Sequence, residues 1–275
     1  MFLDELEERI TVGIPYYQNS TKAELAGAID SIINQSRKPE AIHLIQDGPV
    51  SDELNELVKG YLNKEKIIEH LVIPVRGGLA YALNISILNS TTSLYARMDS
   101  DDISHPQRLE RQFIFLKENP NIDFVGTWLV EFEDDITKTT DRIRKVPPDQ
   151  ESIYRLFHYR NPMNHPTLLF KRSVFAKIGL YNSSFLRAQD TELYARAFKK
   201  KIEVANIPEV LYYMRTDDIV GKRSTMEHIK YQVLGRYKYN TWSITLNTLK
   251  ILSIIFRFMP KRIQRFGYEK IYELS

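Results

Sequence analysis

Between residues 10 and 98 the chain alternates four short β-rich runs with three helical patterns, and no other feature narrows its possible folds as far. Ile10-Thr-Val-Gly-Ile-Pro15 is the first run, Ala41 to Gln46 the second, Ile67 to Pro74 the third and Ser93 to Met98 the fourth. Leu25, Ala28, Ile29, Ile32 and Ile33 recur at helical spacing behind a capping Ser20 or Thr21; Leu54, Leu57, Val58 and Leu62 do so behind Ser51. Arg76-Gly-Gly-Leu-Ala80 leads into a third helix ending near Ser90. Strand–helix units of about 30 residues predict an α/β fold with a mainly parallel sheet flanked by helices. In such a sheet functional groups sit outside the carboxyl ends of the strands. Tyr17, Asp47, Arg76 and the cluster Asp99–Asp102 each follow a strand end. They are expected along one edge.

The cluster is the most chemically pointed of these. Met98-Asp99-Ser-Asp101-Asp102 puts three carboxylates within four residues, and like charges held together need a cation or several donors. Side chains at i and i+2 share a face of a strand, so Asp99 and Asp101 converge as oxygen ligands suited to Mg²⁺ or Mn²⁺. The alternative is an acidic turn with Asp102 capping the next helix. An EF-hand counted from Asp99 is excluded, because Ile103 and Ser104 occupy the positions that need an oxygen ligand and a glycine. No Lys/Thr set for an aspartyl-phosphate enzyme is nearby. Nor is there a Gly-rich dinucleotide fingerprint after the first strand, where Pro15-Tyr-Tyr-Gln-Asn stands, or a Walker A loop. A nucleotide bound by this sheet therefore lacks a helix-cradled phosphate loop, and a cation on the carboxylates can hold its diphosphate.

Composition narrows the class further. The 275 residues are 43% hydrophobic and contain no cysteine, which suits a folded globular chain without disulfides or thiolate metal sites. The acidic start lacks a signal-peptide core, so a cytoplasmic location is expected. No uncharged apolar run reaches the ~18–20 residues of a spanning helix. The net charge of +3 hides an asymmetry: residues 222–275 hold 11 Lys/Arg and 3 Asp/Glu, leaving the first 221 residues at −5. An acidic body with a basic, aromatic tail is no nucleic-acid profile.

The second half continues with a helix from Pro106 and a strand from Ile122 to Phe132. The run Glu131, Glu133, Asp134, Asp135 is expected as a solvated hairpin. A short helix over 151–159, a helix behind Ser173 stopped by Gly179, a helix beginning near Asp190, and strands at Val204–Ile207 and Val210–Arg215 follow.

This order of segments resembles family 2 glycosyltransferases, over roughly residues 10–225. Val12-Gly-Ile-Pro15-Tyr-Tyr17, Gln46-Asp47-Gly48 and Gly78-Leu-Ala-Tyr-Ala-Leu-Asn84 are similar to that family's first-strand, second-strand and Gly-x-x-x-Ala-x-Asn segments. Met98-Asp99-Ser-Asp101-Asp102-Ile-Ser-His-Pro106-Gln-Arg108-Leu resembles its metal segment. Asn164-His165-Pro166-Thr167 and Gln189-Asp190-Thr-Glu192-Leu-Tyr194 resemble the acceptor and catalytic segments. Gln46 and Gln189 depart from the pattern, standing where an Asp and a Glu are usual. The resemblance implies a GT-A fold and inverting transfer of a sugar from a nucleotide sugar, UDP-hexose or UDP-N-acetylhexosamine, to a glycan or lipid-linked oligosaccharide. The competing functions are a sugar nucleotidyltransferase and a non-catalytic binding domain; the first normally carries a basic Gly-rich loop after strand one, absent here.

On that reading Asp190 is the general base, against the alternative of a helix N-cap. Asp101 is the principal metal ligand, and Asp99 a metal, ribose or sugar contact. Tyr17 can stack on the nucleotide base and Asp47 can accept its imide N–H, which suits uracil; Pro15 borders them. Arg76 supports base or phosphates, unless it only faces solvent. Asn84, Asp102, His165, Gln189 and Glu192 are donor- or acceptor-sugar candidates, with His165 a structural or acceptor histidine against the alternative of a metal ligand. Lys222 and Arg223 either close over the diphosphate or form a basic surface loop.

The division expected is a catalytic domain over 1–225 and a basic helical tail over 226–275. Trp242 to Met259 is rich in Ile, Leu and Phe, with Ser243, Asn247, Lys250, Arg257 and Lys261 on a polar stripe; Lys261, Arg262 and Arg265 surround its end. This pattern predicts either an in-plane helix on an anionic membrane, at the inner face of the cell membrane, or a helix packed on the domain or on a second copy.

Overall fold

The structure, a computed structural model, describes residues 9–133, 136, 142–216, 225–260 and 262–263. β1 (Ile10–Tyr16), β2 (Ala41–Asp47), β3 (Ile68–Ile73) and β4 (Leu94–Arg97) form a parallel set in the order β3-β2-β1-β4. Their connections are α1 (Lys22–Ile33), α2 (Asp52–Lys64) and α3 (Leu79–Asn89). Thr21 starts α1 with a full capping box to Glu24, and Ser51 caps α2 through the Leu54 N–H. These are the starts that the sequence predicts.

Beyond β4 the sheet is mixed. β5 (Ile103–Ser104), α4 (Arg108–Glu118), β6 (Phe124–Phe132), β7 (Ile143–Arg144) and α5 (Gln150–Phe157) follow in sequence. A 3-10 turn at His165–Thr167 precedes β8 (Leu169–Lys171), α6 (Val174–Ile178), α7 (Gln189–Lys199) and β9 (Val204–Arg215). β8 lies antiparallel between β4 and β6; β9 runs parallel to β6 and carries β5 on its far edge. The parallel order expected thus holds for the first four strands and gives way to a mixed second half. The two strands expected at 204–215 are one. Pro208 and Glu209 bulge out of the pairing, so that Ile207 meets Thr127 and Val210 meets Trp128, which is how a strand tolerates proline.

Among the described residues two large cores cover the sheet, with a small third cluster of Ile45, Ile73 and Ala82. Ile10, Val12, Ile14, Leu94 and Ala96 pack under α1, α2 and α4, whereas Tyr95, Phe124 and Phe170 pack under α3, α5, α6 and α7. The strict alternation along β4 sends Tyr95 to the second face, where it crosses β1 at Gly13. A Cβ on Gly13 would lie 2.0 Å from the Tyr95 hydroxyl and 2.8 Å from Ser86 Oγ.

The acidic run after β6 is not solvated throughout. Glu131 is buried and ion-paired to Arg144 of β7, so this carboxylate clamps the two strands; Asp134 and Asp135 lie outside the described residues. The division after residue 225 falls in front of α8 (Met226–Arg236), which is packed into the body. Arg236 is buried and donates to Phe157 O at 2.8 Å, while a Cβ on Gly235 would sit 3.2 Å from the Glu192 N. α9 (Ile244–Arg257) follows, capped by Ser243.

Gly13→Ala should lower unfolding stability by roughly 1–3 kcal/mol, the scale of an overpacked core, measured by urea denaturation. A fully native midpoint would show that Tyr95 can move aside.

Candidate active site

The carboxyl ends of β1, β2 and β4 and the start of α7 open on one cleft of about 850 Å³. Pro15, Tyr17, Asp47, Arg76, Asp99, Asp101, His165, Gln189 and Asp190 all line it. Nine of the residues singled out from sequence are therefore brought together, although they span some 175 positions of chain.

At one end Asp47 shapes the wall. Its two carboxylate oxygens accept the backbone N–H groups of Gly77 (2.6 Å) and Gly78 (2.9 Å), and Gly78 has φ +84°, a conformation that favours glycine. The loop so held carries the Arg76 guanidinium over the Tyr17 ring, 4.5 Å from its centroid. Gln46, where the family usually has Asp, donates to Gly48 O at 3.1 Å and accepts from the Tyr16 hydroxyl at 3.2 Å. It braces the strand end through neutral bonds.

The carboxylate cluster forms the floor. Asp99, Asp101 and Asp102 offer oxygens within 4.8 Å of one another. The convergence comes from a turn, since β4 stops at Arg97. Arg97 is buried and ion-paired to Asp99, and a second buried guanidinium, Arg108, lies near Asp102. Asp101 reaches solvent at its edge, yet the crowded setting strips it of water; that and the Asp99 charge push its carboxyl up to about 6. Asp102 is raised well above the usual range, by burial first and then by Asp101 and Asp99. It does not line the cleft, which corrects its assignment as a sugar contact. Its Oδ1 accepts the Arg215 N–H at 2.8 Å, tying the cluster to β9, while its buried Oδ2 has no hydrogen-bond partner. Oxygen donors with excess negative charge and one unsatisfied buried oxygen fit a hard divalent cation.

Across the cleft α7 presents Asp190. Ala188 takes a left-handed turn at φ +53° just before the helix, and Asp190 then sits in the first turn, where the helix dipole favours a carboxylate. Its Oδ2 accepts from Asn161 Nδ2 at 2.7 Å and its Oδ1 from the Thr191 N–H at 2.8 Å. Asn161 Oδ1 in turn accepts from Thr191 Oγ1 at 3.2 Å, and Thr191 Oγ1 also reaches Gln232 Oε1 of α8 at 3.3 Å. His165 is buried, bonded through Nε2 to the Tyr181 hydroxyl at 2.9 Å. Burial, then the Arg97 charge, hold its pKa well below the usual value, so the ring is neutral.

Two further assignments are corrected. Glu192 is buried and accepts from Arg196 and from Lys238 Nζ at 2.7 Å, facing away from the cleft. Asn84 clamps the Tyr181 backbone, donating to its carbonyl at 2.8 Å and accepting its N–H at 2.9 Å. It supports His165 only through Tyr181. Lys222 and Arg223 lie outside the described residues. Sequence reasoning missed Asn161, Arg144 and Arg257 as cleft residues; Asn161 stands just ahead of the Asn164–Thr167 segment, and Arg257 was placed only on the polar stripe of the tail.

The fold and site together define a glycosyltransferase. The glycosyl transferase family 2 profile matches residues 11–179, and the chain belongs to that family. It is 29% identical over 267 residues to the amylovoran biosynthesis glycosyltransferase AmsE of Erwinia amylovora, covering 94% of this chain and 98% of that one. To the UDP-Gal:alpha-D-GlcNAc-diphosphoundecaprenol beta-1,3-galactosyltransferase of Escherichia coli it is 27% identical over 271 residues, 96% of each chain. Among solved structures, S. aureus TarS 1–349 in complex with UDP-GlcNAc superposes with TM-score 0.65 at 15% identity, over 90% of this chain and 72% of that one. The mannosyltransferase PcManGT of Pyrobaculum calidifontis, in complex with GDP-Man and Mn²⁺, gives 0.66 at 15% identity, over 92% and 70%. These two likenesses concern the fold alone.

A carboxyl raised in the folded state destabilises it above that pKa, and the penalty fades as protons bind. Asp101→Asn is therefore expected to raise the thermal midpoint of the metal-free chain at pH 7, with a gain that shrinks as pH falls from 7 towards 4. Calorimetry across that range checks it; an equal or growing gain at low pH would contradict the crowding account.

Proposed function

We propose that the chain transfers a hexose or N-acetylhexosamine from a UDP-sugar, with inversion, to a hydroxyl of a glycan or lipid-linked oligosaccharide in surface-polysaccharide synthesis. The observation that carries this is that Asp190 and the Asp99/Asp101 pair line one cleft, with Tyr17, Asp47 and Arg76 at its end. Support for donor and acceptor comes from the names of relatives, one of which uses UDP-Gal and a diphosphoundecaprenol-linked sugar.

Tyr17, backed by Arg76, offers a ring face for the nucleobase, and Asp47 keeps acceptor lone pairs beside its two backbone bonds. Asp190 takes the proton of the attacking acceptor hydroxyl as its oxygen bonds the anomeric carbon, and the bond from that carbon to the diphosphate breaks. Asn161 holds one Asp190 oxygen and leaves the carboxylate aimed from a rigid helix end. His165 and Gln189 border the acceptor side. Asp101 and Asp99 would hold Mn²⁺ or Mg²⁺, which when bound supplies the positive charge that stabilises a departing diphosphate.

Incubation with a panel of UDP-sugars and Mn²⁺ should release UDP with one donor. Asp101→Ala is expected to abolish the Mn²⁺-dependent part of UDP affinity in isothermal titration; unchanged affinity would remove the ligand assignment. Asp190→Asn should retain UDP binding yet lower turnover by at least ~10²-fold, the scale of a lost general base. Turnover within a few-fold of the native chain would place the base elsewhere, and not at Glu192, which is buried away from the cleft.

A further inference from the structure

α9 is seated on the protein by its polar side. Lys250, at its middle, is buried and donates to Tyr239 O at 2.7 Å, Asn240 Oδ1 at 3.0 Å and Arg236 O at 3.4 Å. Asn247, three residues before it, donates to Thr241 O at 2.9 Å, and Arg257 lines the cleft wall. The opposite face carries Ile244, Ile251, Leu252, Ile255 and Phe258, each at least half exposed, with Trp242 wholly exposed ahead of the helix. An amphipathic helix on a water-facing surface does the reverse, turning its apolar stripe to the core. A contiguous apolar stripe held outward marks an interaction surface.

We infer that this face docks in the plane of an anionic lipid bilayer. The helix is 14 residues, about 21 Å, against a hydrocarbon core of ~30 Å, and no described helix is long and apolar enough to cross. It lies in the interface. Along the chain its charge is one-signed: no Asp or Glu occurs from residue 228 to 268, whereas Lys261, Arg262 and Arg265 follow the helix in sequence. Arg262 is exposed. Apolar side chains flanked by cations suit acyl chains below anionic headgroups. Because Arg257 of the same helix borders the cleft, docking holds the cleft wall at the bilayer. Resting on the proposed function, this delivers a lipid-linked acceptor to Asp190 without extraction from the membrane.

The test uses the full chain with phosphatidylcholine vesicles, with and without phosphatidylglycerol. The chain should sediment with the anionic vesicles, at least about tenfold more weakly in high salt, and brominated acyl chains should quench Trp242. Ile251→Glu with Ile255→Glu should abolish sedimentation while UDP titration with Mn²⁺, which reports an intact fold, is unchanged. No sedimentation and no quenching in the native chain would overturn the inference, as would sedimentation undiminished by the double substitution. So would a dimer in light scattering that this substitution halves, without vesicle binding: the occupant is then a second copy. Loss of turnover on every UDP-sugar would remove the transfer reading, and it leaves vesicle binding as an independent readout.

Discussion

Three carboxylates share one strand end with two buried guanidiniums, and the geometry of the whole cleft follows from keeping them there. Arg97 pairs with Asp99, Arg108 lies near Asp102, and Asp102 reaches the backbone of Arg215, 113 residues later in the chain. Without that last bond the innermost carboxyl would lose its backbone donor and keep only the Tyr212 side chain, and a buried polar group left short of partners costs about 1–3 kcal/mol. The floor of the cleft and the edge of the second half-sheet are thus fixed by one hydrogen bond. The crowding of these carboxylates raises Asp101 and Asp102 and is unfavourable for the fold alone, a common arrangement where function and stability conflict.

The opposite wall rests on a hydrogen-bonded chain in which amides and a hydroxyl link one carboxylate to one guanidinium. Asp190 is held by Asn161 and its own helix, and Asn161, Thr191, Gln232 and Arg236 form a chain of hydrogen bonds into α8. A helix outside the matched residues 11–179 thereby steadies the side chain assigned as the base. The basic end of the protein is accordingly not an appendage to a finished catalytic body. Its first helix is a structural part of the active site.

What could be read from sequence divides along the range of the interactions. The four parallel strands, the caps at Thr21 and Ser51, and the strand-end residues Tyr17, Asp47, Arg76, Asp99 and Asp101 were legible because period, cap and position are all local signals. Asn84, Asp102 and Glu192 were misassigned for the opposite reason. Each sits in a segment with the family's pattern, but its partner, Tyr181, Arg215 or Lys238, lies 46 to 113 residues away. Arg144 gave no signal, and Arg257 read only as part of the tail's polar stripe, since a lone arginine reads as surface until the fold places it. α8 falls within the expected helical tail, but its packing into the body was not legible because its buried positions include Gln232, Gly235 and Arg236, so no apolar stripe marks its inner face.

The insertion of β8 between β4 and β6 bears on the order in which the molecule can be completed. Residues 10–97 contain their own parallel set with sequence-adjacent connections, whereas β4 gains its second neighbour only from residues 169–171, and β6 its parallel partner only from 204–215. A nascent or truncated chain ending before residue 204 retains the nucleotide-side strand ends yet leaves one side of β6 bare and Asp102 without its backbone donor. Pairings of that range close slowly. The strand ends of β1 to β3 are therefore a local product of the chain, whereas the carboxylate floor waits for β9 to supply its donor.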